Sequence, residues 1–399
     1  MKKLIIINSL SVFDQENRKN GLYPTLIKMH EKAGIKADLL SLDFPSEELV
    51  NQYKEIVKSV ALINIPKNYT NRFYSVICEL LSRVFDGPKT KNLYYQIKYF
   101  LHFRAIKKQV EKQGSYSSIV SLTSCEDAGI FSFMLNQAYK TPYIIMEHRT
   151  HYARMSFRKS QAKIIKNTLS NAKIILPVSV QLGDQINDFV EGKANIIPMP
   201  NPAPMSIFEI PSKEKLTEVV TFASGRFIFA GWTNWRQIKR LDVAIKAFEK
   251  VLSKNKDICL VVAGPVGQND KDYVHQKSLS GQVLFLGSLS REKIHLLAHS
   301  IDCCVVPSDF ETFGLPVIES LAAGRPAVVT RCGGPESIIV NKRLGRTVDK
   351  GDIDGFAVAM EEILNMRSDF DAEWIKKYCL EHYSEDALVD RWKRIYEGM

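Results

Sequence analysis

The stretch CCVVPSDFETFGLPVIESLAAGRPAVVTRCGGPESI, residues 303–338, reads as one strand–loop–helix–strand unit closed by a glycine turn. Cys303–Val306 and Ala327–Thr330 are short apolar runs with a helix-length segment between them. Two strands joined through a helix run parallel, since a crossover of this length is what a parallel pair requires. The alternation recurs along the whole chain. In the second half, strands are expected at Phe227–Ala230, Ile258–Ala263, Val283–Leu286 and Gly345–Val348. In the first half they are expected at Leu4–Asn8, Ala37–Leu42, Val60–Ile63, Ser118–Leu122, Tyr143–Glu147 and Lys173–Pro177. Helices fill Leu22–Ala33, Leu93–Lys112, Asp127–Tyr139, Val180–Phe189, Asp242–Lys254 and Glu292–Ser300, and the chain closes in consecutive helices from IDGFAVAMEEIL to SEDALVDRWKRIYEGM. Such alternation gives an α/β fold of parallel sheets covered by helices on both faces, built twice as doubly wound, Rossmann-like domains.

At 399 residues the chain exceeds one ordinary core. IIPMPNPAPMSIFEIPS (196–212) holds five prolines in 17 residues and is the linker. Two such domains on a hinge leave a cleft toward which the carboxyl ends of both sets of strands can point, which favours an enzyme acting on two substrates. A composition 45% apolar and 25% charged excludes a disordered or fibrous chain. Seven cysteines without a CxxC pair argue against zinc ribbons, redox dithiols and a disulfide framework, and fit a reducing cytoplasm. The apolar start MKKLIIINSL stops at Asn8 and suits a buried first strand rather than a signal peptide. No run approaches the length of a membrane span.

The net charge of +10 is uneven: residues 1–200 hold 28 Lys+Arg against 17 Asp+Glu, and residues 201–399 hold 26 against 27. Between His148 and Gly183 there is no acidic residue, but Arg149, Arg154, Arg158, Lys159, Lys163, Lys166 and Lys173 all occur. NLYYQIKYFLHFRAIKKQVEK (92–112) mixes aromatic and basic residues in the same way. The readings open to these stretches are a solvated helix face, an anionic lipid surface, a phosphorylated substrate or nucleic acid, and no nucleic-acid motif of the usual kinds is present.

Neither G-x-G-x-x-G nor a Walker A sequence occurs, nor G-x-S-x-G nor H-E-x-x-H. The D-x-D pairs Asp270/Asp272, Asp352/Asp354 and Asp369/Asp371 read as loop and helix-cap acids, and His275, His295 and His299 as surface or packing residues. The chemistry concentrates in residues 308–338. Glu311 stands in the loop and Glu319 one to two turns into the helix. The spacing E-x7-E means little by itself, since Glu47/Glu55 and Glu373/Glu381 share it. The setting is different: Thr312–Phe313–Gly314–Leu315 can offer free backbone N–H groups at a helix start, an anion site suited to a diphosphate. Gly314 lets the backbone approach a ligand closely. Carboxylates flanking such a site suit sugar hydroxyls rather than phosphate. A nucleotide-sugar answers both demands.

This block resembles the signature of the family 4 glycosyltransferases, which have the two-domain GT-B fold and retain anomeric configuration. The resemblance runs in order through FIFAGWTNWRQIKRLDVAIKAF (227–248), LVVAGP (260–265), VLFLGSL (283–289), the E-x7-E block and YSEDALVDRWKRIYEGM (383–399). It implies that Glu311 contacts the donor sugar, Glu319 the ribose and Lys239 the phosphate, with Leu289 near the base and Thr312, Phe313, Gly314 and Leu315 around the diphosphate. The family's Gly-Arg after the first strand of this domain is here Gly231–Trp232. Arg236 or Arg240 is then the candidate replacement, or Trp232 stacks on the donor. PYIIMEHRTHY (142–152) resembles the strand ending in the family's active-site histidine, which singles out His148. The glycine-rich loop after the first strand is replaced by NSLSVFDQENRKNG, leaving Gly21. Acceptor or membrane contacts would fall to Glu126, Asp127, Arg149, Arg154 and Arg158.

The resemblance thus implies an acceptor-binding domain over 1–200, a nucleotide-sugar-binding domain over 201–383, and a C-terminal helix, 384–399, packing back on the first. It implies a cytoplasmic, peripheral-membrane transferase that builds a surface glycan on a lipid-linked acceptor, with a UDP-sugar or GDP-sugar donor. No metal and no further cofactor is expected. The other readings are transfer to a soluble acceptor, a nucleotide-sugar epimerase, and a non-catalytic nucleotide-sugar-binding scaffold subunit.

Overall fold

The computed structural model describes residues 2–7, 22–42, 51, 53, 61–63, 90–122, 125–149, 152, 159–211 and 213–397. It divides into two compact units: the first takes in Met1–Pro177, Gly183–Pro198 and Trp392–Met399, the second Val178–Leu182 and Met199–Arg391.

In the first unit β1 (Lys3–Ile7), β2 (Ala37–Ser41), β3 (Ala61–Ile63), β4 (Ser118–Ser121), β5 (Tyr143–Glu147) and β6 (Ile174–Pro177) form one sheet in the order β3-β2-β1-β4-β5-β6. All pairs are parallel, with Ile5 opposite Leu39 on one side and Val120 on the other. This is the doubly wound order of a dinucleotide-type domain, in which the carboxyl ends of the strands carry the ligand loops. Leu4, Ile5, Ile6 and Ile7 are fully buried, as a strand covered on both faces must be. The last helix, Glu385–Glu397, ends in this unit. There Trp392 and Tyr396 flank the ring of His30, whose Nε2 lies 2.7 Å from the Tyr396 hydroxyl.

The second unit repeats the plan. β7 (Phe227–Trp232), β8 (Ile258–Ala263), β9 (Val283–Gly287), β10 (Cys303–Val306), β11 (Ala327–Thr330) and β12 (Gly345–Val348) lie in the order β12-β11-β10-β7-β8-β9, again all parallel. Counted from β7, this is the same order as in the first unit. The helix Leu241–Lys254 buries Leu241, Ala244, Ile245, Phe248, Val251 and Leu252, a continuous stripe at helical spacing. It begins with Asp242 and ends with Lys254, charges that suit the two ends of its dipole. That stripe meets Phe229, Leu260 and Val262 of the sheet and Phe356 and Met360 of the helix Ile353–Asn365 in one core. Among the described residues no helix is long and apolar enough to cross a membrane.

Candidate active site

In the second unit the loops after β7 and β10 and the turn after β11 are knitted into one surface. The Glu311 amide donates to the Cys332 carbonyl over 3.1 Å, and the Asp309 amide to the Ile238 carbonyl over 2.9 Å. A Cβ on Gly333 would stand 2.6 Å from the Glu311 carbonyl oxygen, and one on Gly334 would overlap the Phe313 backbone. Glycines are therefore required for the turn to lie against residues 311–313. Glu336 holds that turn, its carboxylate accepting from the amides of Cys332 and Gly333 at 3.1 and 2.9 Å.

On this support Glu311 Oε1 accepts from Lys239 Nζ at 2.5 Å and from Ser308 Oγ at 3.2 Å. The Lys239 and Glu311 side chains are 12% and 13% exposed, so the pair is shielded yet reachable. Lys239 ends a single 3₁₀ turn, Gln237–Lys239, and its amide donates to the Arg236 carbonyl over 2.7 Å. Beside it Gly314, at φ 105°, opens the helix Leu315–Ala322. Among the described residues the amides of Thr312, Phe313, Gly314 and Leu315 have no acceptor. An ammonium, a carboxylate and a cluster of unpaired N–H groups can together hold a diphosphate and a hydroxylated ring.

Glu319, on the second turn of that helix, is 1% exposed and fully engaged. Its Oε2 accepts from Trp232 Nε1 at 2.6 Å and its Oε1 from Arg291 Nη1 at 2.8 Å. Trp232 therefore ends β7 by binding the carboxylate with its buried indole N–H. Sequence reasoning missed Arg291, Ser308 and Glu336. Arg291 follows Leu289 by two residues at the start of the helix Arg291–Ser300, and Leu289 is half-buried in the preceding loop. Arg240 is committed elsewhere: its guanidinium binds Asp242 at 2.9 Å and Asp309 at 3.1 Å, which drives its pKa further up. The Arg236 side chain is exposed and has no ion pair among the described residues, which leaves it available to an anion.

In the first unit His148 follows β5 directly. Its ring stands edge-on to Tyr23, with centroids 5.6 Å apart. Burial, helped by the charge of Glu147, pushes the Tyr23 hydroxyl up to about 12. Asp127 lies in a π-helical turn, Cys125–Gly129, has φ 52° and accepts from the Tyr99 hydroxyl at 3.1 Å. Arg149 is exposed. Gly21, Arg154 and Arg158 lie outside the described residues, as do Glu47, Glu55 and the side chain of Glu126.

Asp352 and Asp371 cap helices by accepting from Gly355 and Trp374 amides, while His295 and His299 are buried against Ser206 and the Ile207 carbonyl. Glu373 and Glu381 are exposed on one helix. Lys166 of the basic stretch pairs with Glu191 at 2.8 Å, while Lys163 and Lys173 are exposed.

Residues 212–379 match the family of glycosyl transferases group 1. An uncharacterized glycosyltransferase of Methanocaldococcus jannaschii is 31% identical over 166 residues, 40% of this chain and 42% of that protein. The N-acetyl-alpha-D-glucosaminyl L-malate synthase of Bacillus anthracis is 22% identical over 255 residues, 62% of this chain and 66% of that protein. This chain thus spans under two thirds of either relative. Across their full lengths, this chain and the Anabaena HepE structure in complex with UDP share a TM-score of 0.68 at 12% identity, and the complex with UDP-glucose gives 0.67 at 13%. The two parallel six-stranded sheets are those of the GT-B fold.

Proposed function

We propose that this protein is a retaining glycosyltransferase that moves a sugar from a nucleotide-sugar to a hydroxyl of a lipid-linked glycan acceptor, in surface polysaccharide synthesis. The donor is a UDP-sugar in the first place, in keeping with HepE, and a GDP-sugar in the second. The observation that carries the reading is the Lys239–Glu311 pair beside four unpaired amides at the start of the helix Leu315–Ala322. Lys239 and those amides offset the charge that grows on the departing nucleoside diphosphate, with Arg236 the free cation nearest in sequence. Glu311 orients the sugar hydroxyls and Glu319 the ribose. Trp232 fixes Glu319 instead of supplying a second charge, and Leu289 borders the base. The acceptor hydroxyl attacks on the face the diphosphate leaves, and a diphosphate oxygen takes its proton, so no covalent enzyme intermediate is needed. His148 serves the sugar being transferred, with Gly21 near the donor and Glu126, Asp127, Arg149, Arg154 and Arg158 toward the acceptor or an anionic inner-membrane surface. The domain roles follow: residues 1–200 for the acceptor, 201–383 for the donor, and 384–399 returning to the first domain.

A soluble acceptor is the second reading, favoured by the malate synthase among the relatives. Turnover of a panel of UDP-, GDP- and ADP-sugars, with lipid-linked and soluble acceptors offered separately, tests both. Release of nucleoside diphosphate from one donor, accelerated by a lipid-linked acceptor, is expected. Acceleration only by a soluble acceptor selects the second reading, and no turnover on the whole panel contradicts both.

A further inference from the structure

Glu147, the last residue of β5, has its whole side chain out of water, with 0% exposure. Four donors converge on its carboxylate. Oε1 accepts from the amides of His148 at 3.0 Å and Arg149 at 2.9 Å. Oε2 accepts from the Cys125 amide at 2.8 Å and the Tyr152 hydroxyl at 2.6 Å. Backbone N–H groups can only donate, so the arrangement suits the anion, which is acceptor-only. Burial works against that charge and pushes the Glu147 pKa up, while Tyr152 and the amides of Cys125 and Arg149 oppose the rise. A buried carboxylate at the end of a core strand is a costly way to fill space, since an apolar side chain would pack there without desolvating a charge.

What the carboxylate does instead is join two loops at the carboxyl ends of neighbouring strands. Cys125 opens the π-helical turn that follows β4 and carries Asp127 at φ 52°. Single π-helical turns are rare and are frequent at functional sites. His148, Arg149 and Tyr152 belong to the loop after β5. The His148 ring is braced separately by Tyr23.

We propose that Glu147 is a positioning residue of the site: its anion ties the loop carrying His148 to the turn carrying Asp127 and fixes both backbones in one arrangement. The proposal rests on the glycosyltransferase reading for the role of His148, but the tie itself does not.

The test uses the full chain. In E147Q the shape is kept, but the amide nitrogen turns its own hydrogens toward two of the four donors. Hydrogen exchange of the Cys125, His148 and Arg149 amides should accelerate at least tenfold in E147Q and stay within threefold of wild type in Y152F, which removes one donor and leaves the anion. On whichever sugar of the UDP-, GDP- and ADP-sugar panel the wild type turns over, E147Q should lower kcat at least tenfold. Calorimetric affinity for the matching free nucleoside diphosphate should stay within twofold. Y152F should lower kcat two- to fivefold, and E147D should recover part of the E147Q loss. Unchanged exchange in E147Q, or unchanged kcat in a folded E147Q while H148A is inactive, overturns the proposal. If E147Q does not fold, Y152F decides: unchanged kcat overturns the proposal, and a selective kcat loss sustains it. A fully active H148A removes the role of His148 in the glycosyltransferase reading, and faster exchange in the same E147Q sample would still establish the tie.

Discussion

Replacing Arg291 by alanine would leave Glu319 with the Trp232 indole as its one partner, at 1% exposure. Removing one member of a fully buried pair costs about 3–5 kcal/mol, because the other charge stays behind unpaired. The Arg291 side chain is 31% exposed, so water can enter the vacated space, and about 2–3 kcal/mol is the discounted figure. In a domain of roughly 200 residues that corresponds to a fall in Tm of about 4–12 °C. Urea unfolding of the full chain followed by tryptophan fluorescence reads it. Trp232 and Trp235 are buried in this unit. The informative companion is the triple variant Trp232→Phe, Arg291→Met, Glu319→Leu, which removes every polar member together. Apolar replacement of a whole buried network is often near neutral, so stability should return to within about 1 kcal/mol of wild type. Nucleoside diphosphate affinity should not return, because the carboxylate assigned to the ribose is gone. An Arg291→Ala protein as stable as wild type would refute this reasoning, and so would a triple variant less stable than the single one.

Glu311→Ala should lower transfer at least tenfold, about 1.4 kcal/mol of barrier or more, while the protein still folds, whereas Glu373→Ala should be silent in the same rate assay. Gly334→Ala should push the Phe313 backbone aside and weaken nucleoside diphosphate binding at least tenfold by calorimetry, since the added Cβ meets main chain that cannot rotate away. Burial lowers His295 to about 4 from an ordinary 6.5. Between those values the unfolded chain binds a proton that the folded chain refuses, so stability is full above pH 6.5 and is lost as pH falls toward 4. That loss is on the order of 3 kcal/mol from this group. His30, also lowered to about 4 by burial, adds a loss of the same sign in the first unit. Urea midpoints at pH 7 and pH 4.5 should differ less in His295→Asn than in wild type.

The twelve strands of the described residues were legible because parallel strands buried on both faces appear as short Val/Ile/Leu runs between loops, with no need of tertiary information. The helices Lys159–Ser170 and Thr217–Ala223 are not legible in the sequence: the first reads only as a charge run, and the second lies just past the proline-rich linker. The turn at Cys125–Gly129 has no local signature either, and its first amide donates to Glu147, 22 residues further along the chain. In the candidate site, setting rather than spacing separated Glu311/Glu319 from Glu373/Glu381, and the burial of the former pair against the exposure of the latter follows that division. Arg291 and Trp232 reach Glu319 across 28 and 87 residues, distances at which one sequence carries no pairing signal. Glu336 could have been found, since a carboxylate three residues after Gly333 is placed to accept the turn's own amides.

Lys239 and the loop 308–315 are proposed to hold a nucleoside diphosphate. Calorimetric titration of UDP, GDP and ADP into the wild-type protein, Lys239→Ala and Glu373→Ala measures this without knowledge of sugar or acceptor. One nucleotide, UDP foremost, should bind the wild type and Glu373→Ala equally and Lys239→Ala at least tenfold more weakly. Binding of none of the three to the wild type, or equal binding to Lys239→Ala, would contradict that role.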